Sequence, residues 1–497
     1  MPDFVFLMTD LALYGLLAVI ALYVRHALHT PTLRQTWRHV LRDPAAMAAG
    51  VVLLLFFVLA SLDSVHFRPM LPPVPGATPA TAPAYSTRTL SVLDALLTGP
   101  RESVEKSYSV PLATHQFSKE SVLVNGVSVR DFPRLKFGGG HLKDASAQWA
   151  GDVVWRSLAG FAGGALAAAG CWLLVAYGRG ARRVEQLRRS AAEIWRGQTD
   201  LPWRSILVTA SIICLLLGWV TALWPFYHVL GTDQTGNDVL FQAIKSIRTA
   251  VVIGSLSTIA TLPLAILFGI LAGYYKGRVD DAIQYLYTVL SSIPSVLLIS
   301  AFVLMIQVFI DKNPTLFETG LERADVRLFL LAAILGVTGW AQLARLLRAE
   351  TLKLGELDYV QAARAFGVSN SGIMRRHILP NLTHIIVIVS VLDFSGLVLY
   401  EAVLSYVGVG VDPSTNSFGS MINGARNEMS RDPVVWWNLL TAFVFMVTLV
   451  LSMTIFSSAV REAFDPRARA FRVRGKKAAV FTSSGATEQP QTQDRPC

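Results

Sequence analysis

Cysteine is scarce, with three residues in 497: Cys171 and Cys214 inside apolar runs, and Cys497 at the last position. That excludes a disulfide framework and offers no metal-ligand spacing. Charge is scarce too. Charged side chains are 16% of the chain, against the roughly 25% of a soluble domain. A basic start is lacking at the N-terminus, where the arginines follow the first apolar run, which argues against a signal peptide. No phosphate-binding loop is present either. Gly367-Val368-Ser369-Asn370-Ser371-Gly372 has the glycine spacing, but Ile373 and Met374 follow where Lys and Ser/Thr are needed, and no strand is expected before it. The chain is therefore not expected to hydrolyse ATP, and no other enzymatic site is visible.

Hydrophobic residues make up 53% of the chain and fall in nine long runs. These are Leu11–Tyr23, Ala45–Leu62, Leu158–Ala176, Ile206–Leu223, Ala250–Leu271, Tyr285–Ile310, Leu328–Leu343, Ile385–Val403 and Trp436–Ser457. Most approach the ~20 residues that cross a bilayer core as a helix. A buried soluble helix explains any one run, but not nine together. The fold class expected is an all-α integral membrane protein with about nine spans.

The net charge of +10 does not point to nucleic acid, because the basic residues cluster in loops between runs. Arg25, Arg34, Arg38 and Arg42 occupy the first loop, and Arg179, Arg188, Arg189, Arg196 and Arg204 a later one. The positive-inside rule then puts these loops in the cytoplasm, the N-terminus outside and the C-terminus inside. The net acidic stretch Asp311–Val326 falls outside.

Five parts follow. Residues 1–62 hold two spans. Residues 63–150 form an extracytoplasmic insert with a proline-rich start, Pro69 to Pro83, expected to be extended and mobile. In that insert Ser121–Val129 alternates about Asn125-Gly126, the signature of a β-hairpin. Residues 151–204 add a span and a basic segment, with a helix expected over Ala181–Arg196 at the lipid headgroups. Residues 205–470 carry six spans, two of them holding Pro263 and Pro294, which should kink them. Residues 471–497 form a tail whose composition is that of disordered chain.

Between the seventh and eighth runs lies Tyr359-Val360-Gln361-Ala362-Ala363-Arg364-Ala365-Phe366-Gly367, continued by Val368 to Asn381. The alanines favour a helix. Gly367 suits a left-handed stop, Ser369 or Asn370 a cap for the next helix, and Pro380 a break before the following span. A helix, a sharp turn and a second helix would make a stiff knob on the cytoplasmic face.

This loop resembles the EAA motif of ABC-importer permeases: Glu-Ala-Ala, three residues, Gly, nine residues, Ile, one residue, Leu-Pro. Ala362, Ala363, Gly367, Leu379 and Pro380 fit; Gln361 stands for the Glu and His377 for the Ile. The string Arg376-His377-Ile378-Leu379-Pro380-Asn381 is typical of the peptide/nickel branch. Its other segments have counterparts here. Leu230-Gly231-Thr232-Asp233 with Gly236-Asn237-Asp238-Val239-Leu240 resembles Leu-Gly-Thr-Asp…Gly-Arg-Asp-Val-Leu. Ala272-Gly273-Tyr274-Tyr275-Lys276-Gly277-Arg278-Val279-Asp280 resembles Ala-Gly-Tyr-Tyr-Gly-Gly-x-Val-Asp. Glu401-Ala402-Val403-Leu404-Ser405-Tyr406-Val407-Gly408-Val409-Gly410 resembles Glu-Ala-x-Leu-Ser-Phe-Leu-Gly-Leu-Gly. The resemblance spans about residues 225–470 and is to the C-type permease of oligopeptide and dipeptide importers. Thr36-Trp37-Arg38 is similar to that family's N-terminal helix, and Ile206–Leu223 is favoured as its first span.

The resemblance implies alternating access without a cofactor bound by this chain, ATP being used by partner subunits. The implied partners are a second permease, two ATP-binding-cassette ATPases, an extracytoplasmic peptide-binding protein and membrane lipid. ATPase docking would fall to Tyr359, Gln361, Ala362, Ala363, Gly367, His377, Leu379 and Pro380. Gly408, Gly410, Pro413 and Gly419 would form a periplasmic scoop, although tight turns alone also explain them. Asp393 and Glu401 are acidic residues in or beside a span, where charge is costly. Asp393 either lines a pathway or bonds between spans; Glu401 is better explained structurally. An ion-coupled secondary transporter and a membrane scaffold are the alternative functions.

Overall fold

The computed structural model describes residues 3–70, 85–86, 88–124, 127–179, 184–314, 317 and 319–464. The N-terminal part runs β1 (Asp3–Val5), α1 (Met8–His29), α2 (Pro31–Val40), α3 (Pro44–Asp63) and β2 (His66–Arg68). The insert follows with β3 (Leu90–Ser91), α4 (Val92–Leu96), α5 (Thr98–Glu102), β4 (Glu120–Val124) and β5 (Val127–Asp131). Then come α6 (Ala145–Gly178), α7 (Val184–Trp195) and α8 (Trp203–Leu223). The remainder is α9 (Val239–Tyr275), α10 (Gly277–Ser292), α11 (Ser295–Lys312), α12 (Gly320–Gly355), α13 (Asp358–Ala365), α14 (Asn370–Ile373), α15 (Leu379–Val407), α16 (Phe418–Glu428) and α17 (Trp437–Phe464).

Among the described residues nine helices are long and apolar enough to cross a membrane, one for each apolar run. One run is divided, however. Tyr285–Ile310 is not a kinked span: α10 stops at Ser292, Pro294 occupies the N-cap of α11, and only Ser295–Lys312 is span-like. Pro294 supplies no N–H and its ring cannot follow a helical turn, so it starts a helix more readily than it continues one. Pro263, by contrast, lies inside the unbroken α9.

The centre is the α9–α12 pair, with 50% and 44% of their apolar windows buried, against 17% and 11% for α6 and α8. Close approach needs small residues there: a Cβ on Gly273 would lie 2.6 Å from Thr351 Cβ. The outlying α6–α8 pair uses the same device, since a Cβ on Gly164 would meet the Cys214 carbonyl at 2.6 Å. α15 crosses α9, where Phe394 fills the space beside Gly254. α3 packs on α9 and α17, and α2 on α17 through Trp37 and Phe464. α8 instead packs on α6 and α3.

β1, β2 and β3 form an antiparallel sheet joining the N-terminus to the insert, an element the sequence reading missed. β4 and β5 pair as the expected hairpin, with Val124 opposite Val127; Asn125 and Gly126 lie outside the described residues. So do most of the proline-rich stretch and the tail from 465, while the expected Ala181–Arg196 helix is described as Val184–Trp195.

Candidate functional site

The loop after α12 folds as a short helix, a stop and a second start. α13 ends in paired bonds from Gly367 N–H to the Arg364 carbonyl and from Val368 N–H to the Ala363 carbonyl. That double closure needs a left-handed residue, and Gly367 has φ +75°. The Ser369 hydroxyl then accepts from Gly372 N–H and caps α14. The chain does not break at Pro380. It passes through a π-helical turn, Met374–Ile378, straight into α15, with Pro380 in that helix's first turn. There a missing N–H costs little, and the wider turn before it makes room for the ring.

Val360 and Ala363 of α13 are buried against the ends of α9 and α12, with Ile373 and Ile378. Tyr359, Gln361 and Ala362 face outward, as does Phe366, which is 87% exposed. Asn381 Nδ2 donates to Tyr359 Oη at 3.0 Å and to the His377 carbonyl at 2.6 Å, and the Tyr359 and His377 rings lie 6.1 Å apart. Leu379 packs beneath them. Tyr359 and His377 thus lie together over an apolar base that includes Ala363 and Leu379, while Gln361, Ala362, Gly367 and Pro380 are exposed on the same loop.

A second set of contacts braces this knob from the α9–α10 turn. Tyr274 Oη donates to Asn370 Oδ1 at 2.8 Å, and the Arg364 guanidinium sits 5.3 Å from the Tyr274 ring centre. Asp280 accepts from both Nε and Nη2 of Arg348, each at 2.5 Å. Those bonds hold the Asp280 carboxyl below its usual range.

Asp393 is half-buried on α15 and has no hydrogen bond or ion pair among the described residues. Glu401 is fully enclosed, 1% exposed, and accepts from Ser405 Oγ at 2.7 Å. Ser405 Oγ also receives Val411 N–H at 3.4 Å, and Gly419 packs against Ser405 where a Cβ would not fit. Glu401 therefore sits in the joint that folds the Gly408–Gly419 loop back onto α15. Gly408 closes α15 with φ +88°, Gly410 also lies against Ser405, and Pro413 is exposed beside an Asp412–Ser414 turn.

At the opposite end of α9 lies a charge cluster that the sequence reading did not single out. Arg248 Nη2 donates to Asp10 Oδ1 at 2.6 Å and Thr9 Oγ1 at 2.7 Å, and lies 3.5 Å from Asp325. His66 Nδ1 meets Asp10 Oδ2 at 2.7 Å. One turn earlier Lys245 pairs with Asp63 at 2.5 Å and Asp94 at 3.0 Å. A cleft of about 400 Å³ opens beside the cluster, lined in part by Asp63, His66, Lys245, Arg248 and Asp325. The available signal was two cations three residues apart leading into an apolar run.

The insert is sewn to the same end. Glu105 accepts from the N–H groups of Lys136, Phe137 and Gly138, and His228 lies between Glu105 (3.6 Å) and Asp238 (2.9 Å). Burial alone would lower the His228 pKa, but the two carboxylates push it up to about 9. Burial likewise would raise Glu105, but His228 and the three N–H groups hold it at about 2.

Nine helices of membrane length among the described residues define a multi-pass membrane protein, with an exposed, internally braced knob on one loop. Residues 265–470 match the family described as "Binding-protein-dependent transport system inner membrane component". The oligopeptide transport system permease protein OppC of Haemophilus influenzae is 26% identical over 312 residues, covering 58% of this chain and 94% of that protein. Its namesake from Lactococcus lactis subsp. cremoris is 31% identical over 242 residues, 48% of this chain and 76% of the relative. The dipeptide transport system permease protein DppC of the same subspecies is 28% identical over 241 residues, 48% and 64% of the two chains. The chain belongs to this family of ABC-importer permeases, on its oligopeptide and dipeptide branch.

Proposed function

We propose that this chain moves oligopeptides or dipeptides inward across the cytoplasmic membrane by alternating access, driven by two separate ATPase subunits. A second permease completes the pathway, and an extracytoplasmic binding protein delivers the cargo. The observation that carries this reading is the knob. Val360, Ala363, Ile373 and Ile378 anchor it to α9 and α12, while Tyr359, Gln361 and Phe366 face outward for a partner. A stiff exposed protrusion whose second helix runs unbroken into α15 is suited to pass a push from outside into the membrane.

In this reading the knob and the arginine-rich loops are cytoplasmic, and the N-terminus and the insert are extracytoplasmic. The pairing of β1 with β2 agrees, because it brings the N-terminus to the insert's side. α2 and α3, which pack on α17 and α9, take the place of the family's first helix in preference to α8. Asp393 cannot face lipid without a partner, so its face of α15 meets the water-filled pathway or the second permease. Gly408–Gly419 serves as the scoop.

The test is a tagged purification in mild detergent with the copurified chains identified by mass spectrometry. A second permease and two ATPases are expected. A chain that purifies alone, where a control importer stays whole, would overturn the reading and favour an ion-coupled carrier.

A further inference from the structure

Among the side chains that depart from the family pattern, two lie in segments far apart in sequence. Lys276 stands at the first Gly of Ala-Gly-Tyr-Tyr-Gly-Gly, and Gln361 at the Glu of Glu-Ala-Ala. In the folded chain both reach one residue, Glu356. Lys276 Nζ donates to Glu356 Oε1 at 2.6 Å, and Gln361 Nε2 lies 3.5 Å from Glu356 Oε2. A Glu at 361 would set two carboxylates side by side, whereas the neutral amide can donate to Glu356.

The backbone adds a second observation. Lys276 has φ +54° and ψ −174°, a conformation that glycine enters freely and a side chain with a Cβ does not. Glycine at 276 would remove that strain, so the lysine side chain is held there against the local preference. Among the described residues the ammonium pairs with Glu356, and its hydrogen bond and charge hold that carboxyl below its usual range.

The position of this pair is mechanical. Lys276 caps the turn between α9 and α10, Glu356 the turn between α12 and α13. Tyr274 with Asn370 braces the other end of the knob. α10 ends at the Ser292–Ser295 break and so can tilt without dragging α11 as one rod.

We propose that Lys276, Glu356 and Gln361 form a latch that ties the coupling helix α13 to the α9–α10 turn. Displacement of the knob then reaches α10 as well as α15. All three are positioning residues, and the inference rests on the ATPase-coupled reading above.

The test uses the whole importer reconstituted in proteoliposomes, with peptide uptake per ATP hydrolysed as the readout. Lys276→Gly relaxes the backbone and deletes the ion pair. It should fold and assemble like the parent and lose about five-fold in uptake per ATP, the scale of one exposed pair. Lys276→Glu should lose more, and K276E combined with E356K should return to within about two-fold of the parent. Parental coupling in both Lys276 variants, or a double variant no better than K276E alone, would overturn the latch while leaving the importer reading intact. A parent complex whose uptake ignores ATP would overturn both.

Discussion

The two ends of the α9–α12 pair are held by the same kind of interaction in opposite surroundings. At one end Arg248, Asp10 and Asp325 are each under 10% exposed, and Lys245 with Asp63 and Asp94 is nearly as closed. At the other, Lys276 and Glu356 are more than half exposed and Arg348 is about a quarter exposed, although its partner Asp280 is buried. Charges out of water are held by geometry, and losing one partner strands the other; exposed pairs are screened and exchange readily with water. The first end is therefore built as a fixed joint, which fastens α1, the small sheet and the insert to the core. The second is built as an adjustable one, at the knob for which docking to a partner is proposed.

The hardest blow to that contrast is Arg248→Met. It leaves Asp10 and Asp325 buried without their cation and should cost ~3–5 kcal/mol in equilibrium unfolding in detergent. A loss below ~1 kcal/mol would mean that the cluster is not a permanent joint.

The fixed end should also respond to pH through His228. Its pKa rises from 6.5 to about 9 on folding, so its contribution is whole below pH 6.5 and fades as pH climbs through 9. Glu105 runs the other way: held at about 2 against 4.5, it contributes above pH 4.5 and is lost as pH falls toward 2. The alkaline loss is on the order of 3 kcal/mol, and the Glu105–His228 contact is counted in it once. Melting temperature followed from pH 6.5 to 9 should fall in the parent and stay flat in His228→Gln. A parallel fall in both would assign the effect to other groups.

The contrast also explains what could be read in advance. The spans were legible because runs of apolar residues at membrane length have few other uses. Their ends were not. α9 begins at Val239, eleven residues before its apolar run, because Lys245 and Arg248 are neutralised by residues from α1, α3 and α12 that no local pattern reveals. The sheet was invisible for a related reason: its strands are two or three residues long and come from Asp3, His66 and Leu90. In the knob, Gly367 and Ser369 announced their conformations because those are local demands. Pro380 misled because the π-helical turn ahead of it, a product of packing, removes the clash that ordinarily ends a helix there.

At the adjustable end the expected stability losses are smaller and the losses in coupling larger. Gly367→Val forces a β-branched residue into φ +75°, while its Cβ meets no atom within 4 Å. The cost is thus conformational, ~1–2 kcal/mol, and confined to the turn. The free energy of global unfolding should fall by no more than that ~1–2 kcal/mol, whereas ATPase copurification and uptake per ATP should drop. Retention of both would mean that the knob is not the docking element.

The smallest stability effect should come from Asp280→Asn, and it is the sharpest control because Asp280–Arg348 is the counterpart of Asp10–Arg248 at the knob end. The bonds are as short at both ends, but Arg348 is bidentate to a single carboxylate and more exposed, whereas Arg248 is shared between Asp10 and Asp325 and more deeply covered. Asparagine keeps the shape and one acceptor but removes the charge. With water already reaching Arg348, the stranded guanidinium can be solvated, and the loss should stay within about 1 kcal/mol. The part of stability due to the depressed Asp280 pKa is present above the ordinary carboxylate range and disappears as pH falls, so parent and variant should converge in acid. If Asp280→Asn instead cost as much as Arg248→Met, the knob end would be clamped as firmly as the opposite end. Motion of the knob would then have to enter the membrane through α15 alone.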